Sequence, residues 1–106
     1  MAARRLVLTR AAEEDLAEQV DFIGVDRPAA ARRYLIALES AFDRLLALPN
    51  LGIRRRYHVR GYENVRIWPV PGFRRFVIVY RSTQRTLEVI RVLHTARDVS
   101  RVLERS

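Results

Sequence analysis

The sequence predicts an α+β fold, in which a helical hairpin packs on one face of a small, mostly antiparallel sheet. Two long segments with apolar residues at helical spacing follow one another in the N-terminal half, separated by only a few residues. Three β-prone segments follow in the C-terminal half. Together with a short first strand, they give the order β-α-α-β-β-β(-α). At 106 residues the chain is expected to form one domain, spanning residues 1–106.

The first strand is predicted at Arg4–Thr9, a short β-prone segment in which Leu6 and Leu8 alternate with Arg5 and Val7. Thr9 is placed to cap a first helix, and the acidic residues that follow suit the positive end of the helix dipole. The apolar stripe of this helix recurs at spacings of three and four and consists of Ala12, Leu16, Val20 and Ile23. Gly24 is expected to end it.

The second helix is predicted to start near Pro28, because proline is tolerated in the first turn of a helix. Pro49 is expected to stop it. A short connection makes the two helices an antiparallel hairpin. The predicted stripe comprises Ala31, Leu35, Leu38, Phe42 and Leu45, widened by Tyr34, Ala41 and Leu48.

Three strands and a short helix are predicted after a basic loop that contains His58 and Gly61. Pro69 favours an edge position for the first of these strands, and Pro71-Gly72 is a turn signal before the second. The predicted elements are strands at Val65–Val70, Phe73–Arg81 and Thr86–Leu93, and a helix at Val99–Glu104.

Strict alternation predicts two apolar faces for the last two strands. In the first strand of this pair, Phe76, Ile78 and Tyr80 lie opposite Arg75, Val77, Val79 and Arg81. In the second, Glu88, Ile90, Val92 and His94 alternate with Leu87, Val89, Arg91 and Leu93. The helical hairpin can cover one face. The other face is expected to stay open, apolar and edged by arginine, which is typical of a binding surface.

The basic charge is concentrated in one part of the chain. All twenty basic residues are Arg. Residues 54–97 contain eleven of them against Glu63 and Glu88, a net charge of +9, whereas the rest of the chain carries −1, which gives +8 in total. Such asymmetry indicates an anionic partner, either nucleic acid or an acidic protein surface. The absence of Lys excludes any catalyst based on a lysine amine.

Several function classes are excluded or disfavoured. The sequence has no Cys, so disulfides, thiolate metal sites and a cysteine nucleophile are excluded. His58 and His94 have no partner at ligand spacing, so no metal site is expected. No phosphate-cradle or dinucleotide motif indicates a cofactor. No apolar run is long enough to span a membrane and no secretory signal is evident, so a cytoplasmic location without membrane association is expected.

The segment His94–Asp98, HTARD, carries the strongest candidate for reactivity. His94 could act as a general base, since the pKa of a histidine lies near neutrality, or it could cap the strand end. Asp98 is placed to cap the last helix, and Arg97 to pair with a nearby acid. Spacing alone favours the strand-end cap over the general base for His94.

Three segments taken together resemble the ParE toxins of bacterial type II toxin–antitoxin systems, within the wider ParE/RelE superfamily. The helical half contains the junction DRPAAARRY and the closing PNLG. The middle strands read GYENVRIWPVPGFRRFVIVYR, and the last strand reads LEVIRVLHTARD. The resemblance covers nearly the whole chain, and it depends on the order and spacing of these segments.

The resemblance implies a toxin that inhibits DNA gyrase by protein binding, without chemistry of its own, and a ParD-like antitoxin that neutralises it in a hetero-oligomer. The surface for antitoxin and target is expected at Arg75, Tyr80, Arg81, Arg91, His94, Arg97 and Asp98. The alternative is a RelE-like ribosome-dependent ribonuclease, with His94 and Arg97 as catalytic residues. Against it, Val77 stands where many such ribonucleases carry a sheet-face Arg three residues before the strand Tyr, here Tyr80.

Overall fold

Two helices and five strands make up the part of the chain that the computed structural model describes, residues 4–94. Arg97, Asp98 and the helix predicted at Val99–Glu104 lie outside the described residues. The elements are β1 (Arg5–Leu8), α1 (Arg10–Gly24), α2 (Pro28–Ala47), β2 (Ile53–Arg55), β3 (Val65–Val70), β4 (Phe73–Ser82) and β5 (Thr86–His94).

The five strands form one sheet in the order β1-β5-β4-β3-β2. Only β1 and β5 are parallel, and the other three pairs are antiparallel. This arrangement, with both helices on one face, confirms the predicted α+β fold class. Gly72 adopts a φ of +81° in the tight turn between β3 and β4, as the Pro71-Gly72 signal predicts.

Strand β2 was not predicted. Its three residues, Ile53–Arg55, are all exposed and were assigned to the basic loop. They pair with Val65–Ile67, so β3 is not the edge of the sheet along its first half. Pro69 lies beyond the end of β2. No strand pairs with β3 on that side at this position, so the N–H that proline lacks has no hydrogen bond to make there.

Helix α1 packs on the sheet as its stripe predicts. The Thr9 hydroxyl accepts a hydrogen bond from the Ala12 N–H at 3.1 Å and so caps the helix. Ala12 is fully buried, and Leu16, Val20 and Ile23 pack against the same core cluster. Two positions of the predicted α2 stripe are wrong: Leu35 and Leu48 are 44% and 54% exposed, because the buried face of α2 is centred on Tyr34, Leu38, Ala41 and Leu45.

A β-bulge in β5 overturns the predicted alternation of that strand. Val79 pairs with Arg91 and Tyr80 pairs with Val89, so Ile90 is an extra residue without a partner on β4. Leu87, Val89 and Val92 therefore share the helix-covered core, whereas Ile90 and Leu93 belong to the cluster on the opposite face. Beyond the bulge, each residue of β5 therefore faces the side of the sheet opposite to the one that strict alternation from Leu87 predicts.

The second face of the sheet is covered, contrary to the prediction that it stays open. Its five core residues, Val65, Val77, Val79, Ile90 and Leu93, are each at most 7% exposed. Tyr57 and Tyr62, from the loop between β2 and β3, pack against them. A loop that reads as polar and basic therefore contributes the aromatic cover of a second, smaller core.

Tyr80 ties the end of α2 to the sheet. Its side chain is fully buried, and its hydroxyl donates to the Pro49 carbonyl at 2.7 Å and accepts from the Gly52 N–H at 2.8 Å. Burial raises the pKa of Tyr80, although the Gly52 hydrogen bond and the Arg66 charge oppose the rise. A Cβ at Gly52 would lie 2.6 Å from the Tyr80 hydroxyl, so this close approach requires glycine.

We expect Tyr80→Phe to lower the free energy of unfolding by about 1–3 kcal/mol, because a buried N–H and a buried C=O both lose their partner. Urea titration followed by circular dichroism measures the change. Tyr62→Phe is the matched control, since no residue in the described range bonds its half-buried hydroxyl. Equal losses in the two variants would contradict the role given to Tyr80.

Candidate partner-binding site

Polar side chains of α1 continue the hydrogen bonding of β5 beyond the end of β1. Strand β1 pairs only with Thr86–Val89. From there, the Thr9 hydroxyl donates to the Ile90 carbonyl at 2.6 Å, and the Gln19 amide donates to the Val92 carbonyl at 2.7 Å. The Asp15 carboxylate accepts from the Val92 N–H at 3.1 Å. These bonds satisfy backbone groups that an open sheet edge would leave unpaired.

Asp15 also fixes Arg91 by a bidentate ion pair. The Arg91 Nε and Nη2 atoms donate to the two carboxylate oxygens at 2.7 and 2.9 Å. The two side chains are only 25% and 11% exposed. The hydrogen bond to Asp15 raises the pKa of Arg91, and burial opposes the rise. Arg91 is therefore committed to an internal pair.

Tyr34 joins the same network from α2. Its hydroxyl donates to the Gln19 side-chain oxygen at 2.5 Å, and the Gln19 amide in turn bonds β5. Burial, with a smaller contribution from the Asp15 charge, raises the pKa of Tyr34 well above its usual value. The hydroxyl is therefore protonated and donates to Gln19. The hydrogen bonds from Tyr34 to Gln19 and from Gln19 to Val92 hold both helices against the end of β5.

An apolar groove opens next to this network, at the end of the sheet where β4 begins and β5 ends. Phe22 and Val25, near the end of α1, are 81% and 79% exposed. Phe22 and Phe76 line two adjacent clefts of about 410 and 470 Å³, the first bounded by His94 and the second by Phe73. We call the surface formed by Phe22, Val25, Phe73, Phe76 and His94 the apolar groove.

The structure separates the predicted site residues. Arg75 and His94 are exposed at the groove end of the sheet, where the His94 ring meets Phe76 edge-to-face at 5.1 Å between centroids. Arg81 is six residues beyond Arg75 along β4, about 20 Å away at the rise of an extended strand. It pairs with Glu88 across the ladder at 2.9 Å.

Two of the predicted contact residues are not presented to a partner. Tyr80 is fully buried, and its hydroxyl is held by Pro49 and Gly52. Arg91 is held by Asp15. Strand alternation correctly places Tyr80 on the helix-covered face, but it does not show that the end of α2 closes over it. Arg97 and Asp98 lie outside the described residues.

Sequence reasoning did not identify Asp15, Gln19 or Phe22 as site residues. A signal was available for two of them, because Asp15 and Gln19 are four residues apart and share one face of α1. Asp15 was instead assigned to the acidic first turns that suit the helix dipole, and Gln19 was given no role. Phe22 falls outside the apolar stripe, and an apolar residue outside a stripe is a weak indicator of a binding surface.

Neither a metal-binding cluster nor a membrane-spanning helix is found within residues 4–94. No group of three or more His, Cys, Asp or Glu side chains there could hold a metal ion. No helix in the same range is long and apolar enough to cross a membrane.

Comparison with known proteins gives consistent results. The family model described as ParE toxin of type II toxin-antitoxin system, parDE, matches residues 6–99. Toxin ParE1 of Mycobacterium tuberculosis, in strains CDC 1551 and H37Rv, is 35% identical over 109 aligned residues, which cover 93% of this chain and 97% of the relative. A solved chain of the chromosomal ParDE TA system from P. aeruginosa has a similar fold, with a TM-score of 0.69 at 21% identity over 88% of this chain and 97% of that chain.

We expect Asp15→Ala to lower the free energy of unfolding by about 2–3 kcal/mol, because it leaves Arg91 without its counter-charge and the Val92 N–H without an acceptor. Amide hydrogen exchange at Val92 should accelerate in the same variant. Denaturant titration and exchange measured by NMR check the two effects.

Glu14→Ala is the control for this prediction. Glu14 neighbours Asp15 on α1 and pairs with Arg10, but both side chains are largely exposed, at 70% and 93%. Its loss should change the free energy of unfolding by at most about 0.5 kcal/mol. Unchanged Val92 exchange in Asp15→Ala would refute the edge role of the carboxylate.

Proposed function

This chain belongs to the ParE toxin family of type II toxin–antitoxin systems, and on that premise we propose that it inhibits DNA gyrase by binding it. In the same proposal, a cognate antitoxin encoded with the toxin neutralises it in a hetero-oligomeric complex. The toxin acts as a protein ligand of gyrase and performs no reaction of its own.

The burial of Tyr80 is the observation that carries the choice of binding over catalysis. In the ribonuclease alternative a tyrosine on the sheet is one of the groups that act on RNA. Here the Tyr80 hydroxyl is fully enclosed and makes two hydrogen bonds to the protein's own backbone. A general acid or base must come within hydrogen-bonding distance of the reacting proton, and a buried hydroxyl does not meet that condition.

His94 is the feature that favours the ribonuclease alternative. It is exposed at the end of β5, beside an open cleft. Val77, three residues before Tyr80, is buried in the second core and supplies no cation to a phosphate. A ribonuclease of this fold would use an Arg–Tyr pair beside the histidine. In the described part of this chain the corresponding positions are the buried Val77 and the buried Tyr80, so His94 lacks that assistance.

The apolar groove supports neutralisation by an amphipathic antitoxin segment. Phe22 and Val25 expose most of their surface, and the exposed Arg74 and Arg75 flank Phe73 and Phe76 on β4. An amphipathic peptide can bury apolar side chains against the phenylalanines and pair its carboxylates with these arginines, which offset the carboxylates of Glu18 and Asp26 in the cleft walls. In this proposal Arg75 and His94 contact the antitoxin.

We expect purified toxin to inhibit supercoiling of relaxed plasmid by gyrase and to increase the amount of linear DNA released when the reaction is stopped with detergent and protease. Trapped cleavage should appear because the toxin acts on gyrase that already holds cut DNA. Agarose gel electrophoresis measures both products. Toxin that has been incubated first with its antitoxin is the control and should leave supercoiling unaffected.

Two outcomes would contradict the gyrase proposal. One is full supercoiling at excess toxin without linear DNA. The other is site-specific cleavage of translated messages after toxin induction, detected by primer extension and abolished by His94→Ala, which would establish the ribonuclease alternative instead. Growth arrest with intact messages agrees with the proposal.

We expect Phe22→Asp to weaken antitoxin binding at least about tenfold, because it removes an apolar anchor and adds a negative charge facing an acidic partner. Isothermal titration calorimetry measures the change. Ile36→Asp is the matched control, since Ile36 is 60% exposed on α2 and does not line the groove. Equal affinities of the two variants would place the antitoxin elsewhere.

A further inference from the structure

A second cleft, polar and cationic, lies at the end of the sheet opposite the apolar groove. It has a volume of about 240 Å³ and opens where β3 begins and β4 ends. Arg54, Arg66 and Arg81 line it, together with Glu63, and the rest of its wall is asparagine, serine and glycine. Three positive charges thus surround one small cleft that contains a single carboxylate.

Two of these arginines form an unfavourable cross-strand pair. Arg54 of β2 is directly opposite Arg66 of β3 in the antiparallel register. Side chains of directly opposed residues lie about 5 Å apart at Cβ, and like charges at that distance destabilise a sheet. No carboxylate in the described part of the chain forms an ion pair with either of them. An anion bound between the two guanidinium groups would remove this repulsion.

The protein backbone holds two of the three guanidinium groups in place. Arg66 donates from Nη1 to the Gly52 carbonyl at 2.8 Å, and Arg81 donates to the Gly61 carbonyl while pairing with Glu88. The Nε and Nη2 atoms of Arg66 make no hydrogen bond to any described residue. The free Nε and Nη2 donors of Arg66, held in this way, can bind an anion without losing much side-chain entropy, whereas Arg81 is already paired with Glu88.

We propose that this cleft binds phosphate groups of a DNA backbone. Its wall contains no apolar side chain, whereas a peptide partner depends on apolar anchors for most of its affinity. Contacts to a phosphate backbone need only positive charge and hydrogen-bond donors. The composition of the cleft therefore favours a nucleic acid over an acidic peptide.

Neighbouring charges extend the surface beyond a single phosphate. Arg55, Arg56 and Arg60 are exposed on β2 and the loop that follows it. Arg55 directly follows Arg54 and Arg60 directly precedes Gly61, so further positive charge lies close in the chain to two residues of the cleft. This DNA contact does not require gyrase, and DNA alone is sufficient to test it.

Fluorescence anisotropy with a labelled 20-base-pair duplex of arbitrary sequence tests the proposal between 50 and 200 mM salt. We expect Arg54→Gln to weaken binding by about fivefold at the lower salt and to reduce the slope of log K against log salt by about 1. Arg32→Gln, an equal loss of charge at an exposed position of α2, should change the affinity by less than about twofold.

Glu63→Gln provides a gain-of-affinity test that a folding defect cannot imitate. Its carboxylate accepts from the Gly61 N–H, and an amide oxygen can accept the same bond while the negative charge is removed. We expect about threefold tighter DNA binding at 50 mM salt, and no more than a small change for the exposed control Glu39→Gln on α2.

Three outcomes would overturn the proposal. Wild-type protein that does not bind duplex DNA at 50 mM salt is the first. Equal effects of Arg54→Gln and Arg32→Gln would show a diffuse basic surface and no site. Binding of labelled polyglutamate as tightly as the duplex, weakened to the same degree by Arg54→Gln, would assign the cleft to an acidic peptide.

Discussion

The pairing of Asp15 with the outer edge of β5 is the interaction on which the rest of the structure depends. Strand β1 is four residues long and β5 is nine, so β1 leaves half of that edge without a strand partner. Helix α1 supplies the missing bonds through Thr9, Asp15 and Gln19. The same carboxylate orients Arg91 just after the bulge. The helix is thereby fixed in position along the sheet, and with it the exposed Phe22.

The molecule has two unlike surfaces at opposite ends of β4, and each is proposed to bind a different partner. One end presents exposed phenylalanines in the apolar groove, and the other presents three arginines in a polar cleft. Between them the strand is buried from Val77 to Tyr80. A partner recognised by apolar contacts and a partner recognised by phosphate charge therefore have separate places to bind. Neither contact requires the buried strand to open.

The sequence was sufficient to predict the elements whose signal lies in neighbouring residues. The Thr9 cap and apolar stripe of α1, most of the α2 stripe, the Pro71-Gly72 turn and the apolar runs of β4 and β5 are visible in neighbouring residues. Strand β2 was missed because three exposed residues, Ile-Arg-Arg, carry no alternation and form a strand only by pairing with β3. The bulge at Ile90 was missed because it exists only in the register between two strands.

The candidate site was less predictable than the fold, for a similar reason. Strand alternation placed Tyr80 on the helix-covered face but could not show that Pro49 and Gly52 enclose its hydroxyl. The basic composition of residues 54–97 indicated an anionic partner, but not that Arg54 and Arg66 would be directly opposed. The second face was predicted to be open because the covering role of the loop was not recognised. Tyr57 and Tyr62 lie there among arginines and glycine, which are typical of a solvent-exposed turn.

The parallel pairing of the first and last strands also determines when this protein can fold. Arg5 pairs with Thr86, and the Thr9 hydroxyl bonds Ile90 across 81 positions of sequence. Contacts of such long range form slowly, because a large loop must close before they contribute. During synthesis the helical hairpin and the β3–β4 hairpin precede β5, yet α1 has no edge to bond until β5 has left the ribosome. The native contacts of β5, and with them the completed apolar groove, therefore arise only after β5 has left the ribosome.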